Sequence, residues 1–358
     1  MSDPADPVDD LARLWEWFAQ DQFHGYSPLY EQIARAVAHD RGVLELVREA
    51  PAEAHLPPAL LGAVHYLLLG GLEHPLGAVY EGRSAADAAA LFLDLCRAHR
   101  GEVAAVLAVR RVQTNECGRS AVIGPALTWI ASEVDGPLAL VDVGASAGLN
   151  LLCDRYLLDY GDRGTTGPSD SAVRIACRVV GQPPISERLP TIVAKVGIDR
   201  SPVNLADDDD ARWLLACVWP DTGRLERTAA AIRLARQSLP ELVTGDANDA
   251  LPGVLAQLPA GAVAVVVTTW AFAYLSIEDR KRFVTFLDAE SHRRPITWLS
   301  ADGAGIVEAI ADQAGPDHDP EASSVLGAVL FDRGARRAQL LAYVHQHGSV
   351  LDWRAVPR

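Results

Sequence analysis

The segment Asp142-Val-Gly-Ala-Ser-Ala-Gly148 puts an acid at the end of an apolar run, followed by two glycines around a serine. Two chemistries fit that spacing. Gly144 and Gly148 remove side chains where another group must lie against backbone. A cofactor can therefore rest over Gly144, Ala145, Ser146 and Gly148, with the Asp142 carboxylate facing its positive charge. The same residues also read as G-x-S-x-G, the nucleophile elbow of a serine hydrolase. Ser146 would then be the nucleophile, with Asp302 and His345 following in the chain order Ser, Asp, His.

Two further acids weigh toward the cofactor. Asp199, in "VGIDRSP", ends the next extended run, where a carboxylate can take both hydroxyls of a ribose. Asp246, in "TGDAND", ends the third, where its carboxylate and the Ala247 N–H can read an adenine edge. Acids at the carboxyl ends of three successive strands point into the crevice where open sheets bind ligands. A helix starting after Gly148 would offer free N–H groups to a ligand carboxylate, with Asn150 beside it. A cationic amino acid joined to adenosine, S-adenosylmethionine (AdoMet), matches the set. For the hydrolase the elbow comes too early, after the first sheet strand. His345 and His347 fall in an extended run, "YVHQHG", on one polar face.

The loop "VQTNECGRSAV" clusters Thr114, Asn115, Glu116 and Arg119 just before the first sheet strand. It is either an internal network or a cover over the crevice. In the second case Glu116 is the candidate general base. Tyr26, Tyr30, Asn115, Arg119 and Trp270 then line an acceptor pocket, and Thr269 ends the fourth strand beside the cofactor. Metal chemistry is not indicated: Asp207 to Asp210 suit a helix start, and His345-x-His347 lacks a third ligand. His65 and His74 read as satisfied groove histidines, and Trp213 and Trp219 as packing residues.

The elements that must position these groups fall into two textures. Residues 9 to 134 carry apolar residues at helical spacing, as in "PLYEQIARAVAHDRGVLELV" and, with Ser84 as N-cap, "SAADAAALFLDLCRAHRGEVAAVLAVRRV". From Pro137 short β-branched runs alternate with helical ones. Strands are expected at "LALVDVG", "TIVAKVGID", "ELVTGD", "AVAVVVTT" and "PITWLSAD", with a helix at "AGLNLLCDRYLL" after the first. The end, "SSVLGAVLFDRGARRAQLLAYVHQHG", is a hairpin around a tight turn. The expected fold is α/β: a Rossmann-like sheet of parallel strands closed by an antiparallel hairpin, preceded by an all-helical region. The boundary is set at 134/135, with an insertion at 161–190 that carries its own strand, "AVRIACRV".

The 358 residues are 49% apolar and 22% charged, as in globular proteins. A net charge of -15 argues against gripping a phosphate backbone. The start, "MSDPADPVDDLARLWEW", has acids where a secretory signal has basic residues. No apolar run reaches the ~20 residues of a membrane span. Five scattered cysteines without a CxxC read as reduced thiols, so a cytoplasmic protein with a small-molecule partner is expected.

With "YSPLYEQIARAVAHD", "VQTNECGRSAVIGP", "LVDVGASAGLNLLCDRY", "VGIDRSPVNLADDDDARWLLACVWPD" and "TGDANDAL", the chain resembles the bacterial domain-of-unknown-function family 2332, from about Trp15 to Trp353. The α/β half of that family is similar to class I AdoMet-dependent methyltransferases. The resemblance implies AdoMet as cofactor, with Asp142, Gly144 and Gly148 as its first motif, Asp199 at the ribose and Asp246 at the adenine. The middle of the motif is Ala-Ser-Ala where such enzymes commonly have another glycine.

Overall fold

The computed structural model describes residues 6–356. The chain forms two compact units, one from residues up to Thr114 together with Ala206–Ala229, the other from Asn115–Leu205 together with the residues after Ala229. The division thus falls after Thr114 rather than at 134/135. The reason is the helix Ser120–Glu133: it is apolar almost all round and buried from Ser120 to Leu127, so it is a core element of the sheet-bearing unit. It packs on the turns Leu149–Arg155.

The first unit is helical. Pro7–Trp17, Pro28–Ala38, Arg41–Glu49, Pro57–Leu69, Pro75–Tyr80, Ala88–Ala98 and Arg100–Val109 enclose a core that includes Trp15, Phe23, Tyr30 and Phe92. The run 28–47 is two helices because Asp40 accepts the Val43 N–H at 3.0 Å and starts a new one. Ser84 only takes the Ala86 N–H in the preceding turn, and Asp87 caps the helix. Asp207 caps Asp208–Ala216 through the N–H groups of Asp209 and Asp210, so that acidic run is a helix start. In that helix Trp213 packs over Gly62 and donates to Arg111 O at 2.6 Å.

The second unit is mixed α/β. Its strands are β1 (Leu138–Val143), β2 (Leu157–Asp159), β3 (Thr165–Thr166), β4 (Arg174–Ala176), β5 (Arg178–Val180), β6 (Ile192–Asp199), β7 (Glu241–Thr244), β8 (Val263–Thr269), β9 (Ile296–Gly303), β10 (Ser324–Asp332), β11 (Ala335–Val344) and β12 (Val350–Trp353). Nine of them build one sheet in the order β7-β6-β1-β8-β9-β10-β11-β12-β5, and β3-β2-β4 form a small second sheet. β7, β6, β1, β8 and β9 are parallel; β10, β11 and β12 alternate in direction, and β5 lies parallel to β12. β1 and β8 are buried at every residue, as parallel strands covered on both faces are. One face of β1, with Ala139, Val141 and Val143, joins Val266, Trp298, Phe283 and Leu287 in the core; Leu138, Leu140 and Asp142 face the other way.

The expected hairpin is present as β10 and β11. Arg333 (φ 50°) and Gly334 (φ 82°) both take left-handed backbone, the two-residue turn whose twist matches the strands. Three other expectations fail locally. No α-helix follows β1: Leu149–Arg155 makes 3₁₀ turns kinked at Leu152. The Tyr156 hydroxyl takes the Leu149 carbonyl at 2.7 Å, which a helix would have used. The run "AVRIACRV" is broken at Cys177 into β4 and β5, which join different sheets. His345 and His347 lie in the turn after β11, not in a strand. Among the described residues no helix is long and apolar enough to cross a membrane.

Candidate functional site

Neighbours of β1 in the sheet are β6 and β8, reached by the chain on opposite sides, so the sheet order reverses at β1. Ligand crevices of open sheets lie outside the carboxyl ends of strands at such a reversal. The loop leaving β1 there is unusual: Gly144, Ser146 and Gly148 all have left-handed backbone, φ 81°, 52° and 73°. For Ser146 that conformation costs about 1–2 kcal/mol. Ile198 O accepts the N–H groups of Gly144 (2.8 Å) and Ala145 (3.1 Å), and Ser146 O accepts from Val203 N–H (3.2 Å).

Asp199 holds the same loop. Its Oδ2 accepts the Ser146 N–H at 2.8 Å and its Oδ1 the Ser201 N–H at 2.9 Å. The glycines, read from sequence as room for a ligand, are also set close against protein neighbours. A Cβ on Gly144 would lie 2.6 Å from the Ala271 Cβ, and one on Gly148 2.7 Å from the Pro240 Cβ. Gly197 on β6, which the sequence reading passed over, is as tight: its Cβ would sit 2.5 Å from Leu242 and 2.6 Å from the Ala145 Cβ. A glycine inside a strand pattern was the available signal.

Asp142 is only 3% exposed. Burial pushes its carboxyl up to about 7, against the pull of the Arg119 guanidinium and with a push from Asp199. Asp246 caps the helix Ala247–Gln257 by accepting the Asn248 N–H, and its Oδ2 takes Arg200 at 2.5 and 3.1 Å. Arg200 thereby holds Asp246 below the usual carboxylate range. Ala247 is the first residue of that helix, where backbone N–H groups have no partner within the helix.

The loop before β1 is stitched into this edge of the sheet. Asn115 Oδ1 accepts the Leu149 N–H at 2.9 Å, and the Ser120 hydroxyl donates to Asn150 Oδ1 at 3.2 Å. Glu116 Oε1 accepts the Gly118 N–H at 2.7 Å, and Oε2 lies 3.9 Å from His347 Nδ1. Arg119 donates to Thr269 O (3.0 Å) and Gln346 O (3.2 Å) and stacks 4.4 Å from the Trp270 ring centre. Trp270 itself is left-handed (φ 51°); its N–H reaches Ala301 O at 2.7 Å and its indole the Ser324 hydroxyl at 3.0 Å. Gly348 lets the 345–349 turn close on this loop, since a Cβ there would be 2.0 Å from Gly118 O. His345 Nδ1 is met by the Ser349 hydroxyl (2.8 Å) and the His347 N–H (3.3 Å). Replacing Arg119 by alanine removes two charge-assisted bonds and the stacking. It is expected to cost about 1–3 kcal/mol in a urea titration, with a loss below ~0.5 kcal/mol counting against the hub.

Asp142, Ser146, Asp199, Asn115, Asn150, Glu116, Arg119, Thr269 and Trp270 thus share the carboxyl edge around β1 and β8, with Asp246 and Ala247 beyond β7. Among the described residues, besides the hairpin residue Arg333, the non-glycine residues with left-handed backbone are Ser146 and Trp270, which follow adjacent strands. Backbone strain of this kind clusters at functional sites. Tyr26 and Tyr30 belong to the helical unit: Tyr30 is a core residue against Phe23, Tyr80 and Trp219, and Tyr26 packs on Trp219. A polar cleft of about 770 Å³, lined by Asp154, Asp170, Glu187 and Arg188 among others, opens at the opposite end of β6. Among the described residues no group of three or more His, Cys, Asp or Glu is placed to hold a metal ion.

The fold and this edge define a mixed α/β protein with a large, mostly parallel sheet. The chain belongs to the bacterial family described as "Uncharacterized protein conserved in bacteria (DUF2332)", whose model matches residues 12–353. No curated protein matches it.

Proposed function

We propose that the protein is an AdoMet-dependent methyltransferase acting on a small-molecule acceptor in the cytoplasm, with a Rossmann-like second unit. The observation that carries this reading is the loop after β1. Asp142 is followed by left-handed backbone at 144, 146 and 148, the path of a triple-glycine loop with serine in the middle, at the strand where the sheet order reverses. The donor set suits the cofactor best at Asp142, a buried carboxylate whose ionisation a cation would favour. In this reading Asp199 keeps lone pairs for a ribose while it holds the Ser146 N–H, and the Ala247 N–H meets the adenine.

AdoMet would supply an already activated methyl group, so the chain's task is to align the acceptor with it. Glu116 Oε1 holds the Gly118 N–H and Oε2 faces His347, so to serve as base it would have to give up part of that internal network. The missing helix after Gly148 removes a dipole from the reading, and Asp142 carries that end alone. Calorimetric titration with AdoMet and S-adenosylhomocysteine tests it; no heat at millimolar ligand ends it.

The left-handed Ser146, between small neighbours, also has the strained posture of a nucleophile elbow, which keeps the hydrolase with Asp302 and His345 as a second reading. Ser146→Gly separates the two. It relieves the left-handed strain, so stability should stay within about 1 kcal/mol of the parent and cofactor binding should persist. An ester-cleaving activity that vanishes in Ser146→Gly would establish the hydrolase instead. Tight binding without turnover on any acceptor would leave a ligand-binding protein.

A further inference from the structure

Arg119 holds two carbonyls and still has most of its donors to spare. Of its five N–H groups, one goes to Gln346 O at 3.2 Å and one to Thr269 O at 3.0 Å; the other three have no protein partner among the described residues. Nor does it form an ion pair among them: the carboxylates of Glu116, Asp142 and Asp302 pull on it only from beyond contact distance. Asp142 and Asp302 are poor counter-charges, since burial pushes their own carboxyls up to about 7 and about 6. A guanidinium taken out of water without a paired charge is costly, and burial draws Arg119 down to about 10. An anion at its free N–H groups would offset that cost.

The orientation of the group is fixed. Its guanidinium carbon lies 4.4 Å from the Trp270 ring centre, and Trp270 is itself in left-handed backbone, a rare conformation for a bulky residue. A planar fork held by stacking suits a planar carboxylate, which can take two N–H groups side by side. A dianion suits it less, because the three acids around Arg119 repel a second negative charge. The flank just beyond Trp270 is apolar and faces outward: Tyr274 is 87% exposed and Ile277 71%. The Tyr274 hydroxyl is near enough to act on Arg119. The backbone there is tied down, since Arg280 donates to Phe272 O at 3.1 Å and to Ala273 O at 2.6 Å. We propose that Arg119 seats the carboxylate of the methyl acceptor, an aromatic carboxylic acid whose ring lies against Tyr274. That the ligand is the acceptor rests on the methyltransferase reading; the carboxylate seat itself does not.

The test is calorimetric titration of the full chain at pH 8 with benzoate, with and without saturating S-adenosylhomocysteine, against benzyl alcohol and benzylammonium. Benzoate should bind saturably, with a Kd on the order of 1 mM, equally well in both conditions; the alcohol and the amine should not bind. Arg119→Lys keeps the charge but loses the planar fork, and should weaken benzoate at least about tenfold. Tyr274→Glu, an exposed change that spares the fold, places a like charge beside the carboxylate and should do the same. Thermal unfolding confirms that both variants are folded. No saturation with the parent protein overturns the proposal, as does undiminished binding in either variant. Loss of benzoate binding when S-adenosylhomocysteine is bound overturns it too, because Arg119 would then seat the cofactor's own carboxylate. Benzoate binding without any binding of S-adenosylhomocysteine strikes the methyltransferase reading and leaves the carboxylate seat standing.

Discussion

Replacing Asp142 by asparagine should stabilise the protein at pH 8 while removing its affinity for AdoMet. The carboxyl of Asp142 is pushed up to about 7 by burial, whereas in the unfolded chain it titrates near ~3.9. The folded state therefore holds the proton more tightly. The stability that this group contributes is fully present below about pH 4 and is lost as pH rises to about 7. A gap of about three units corresponds to a few kcal/mol at most, and asparagine, which has no proton to lose, escapes that loss. Urea unfolding of parent and variant at pH 5 and pH 8 reads it: the variant's advantage should grow with pH. Equal pH dependence in both proteins would remove Asp142 as the titrating group. Binding should go the other way. A cation needs the ionised carboxylate, so AdoMet should bind the parent more tightly at pH 8 than at pH 6, and Asp142→Asn should lose about a hundredfold or more in affinity, some 3 kcal/mol.

The same residue shows how far the sequence reaches. Strands buried on both faces announce themselves as continuous β-branched runs, and "ALVDV" and "AVAVVVTT" were legible for that reason. The hairpin was legible because Arg333-Gly334 suits a left-handed two-residue turn between extended runs. The helix after Gly148 was not, because its periodicity was real but its first carbonyl is taken by Tyr156, a contact local pattern cannot reveal. β5 was invisible as an edge strand of the large sheet, since its partner β12 lies some 170 residues further along the chain. The acids of the site could be placed at strand ends by pattern. Their partners could not: that Asp199 would hold Ser146 and Asp246 would hold Arg200 follows from register and twist.

Gly144→Ala is expected to be among the most damaging single-methyl changes in the sheet-bearing unit, and it separates the two reasons for a glycine at this position. Alanine at φ 81° costs about 1–2 kcal/mol from backbone alone. Its Cβ would also sit 2.6 Å from that of Ala271, closer than two carbons can approach. Ala271 cannot easily retreat, because its neighbour Trp270 is itself left-handed and tied to Ala301 O at 2.7 Å. Overpacking of that kind adds roughly 1–3 kcal/mol, so with the backbone share the loss should total about 2–5 kcal/mol. Gly261 is the matched control: it has the same φ of 81° but open space where a Cβ would go, so Gly261→Ala should cost only the backbone share. Urea unfolding of the two variants measures the difference. If they lose equally, the contact with Ala271 is soft. If Gly144→Ala stays folded and stable but no longer binds AdoMet, the glycine is there for the ligand after all, as the sequence first suggested.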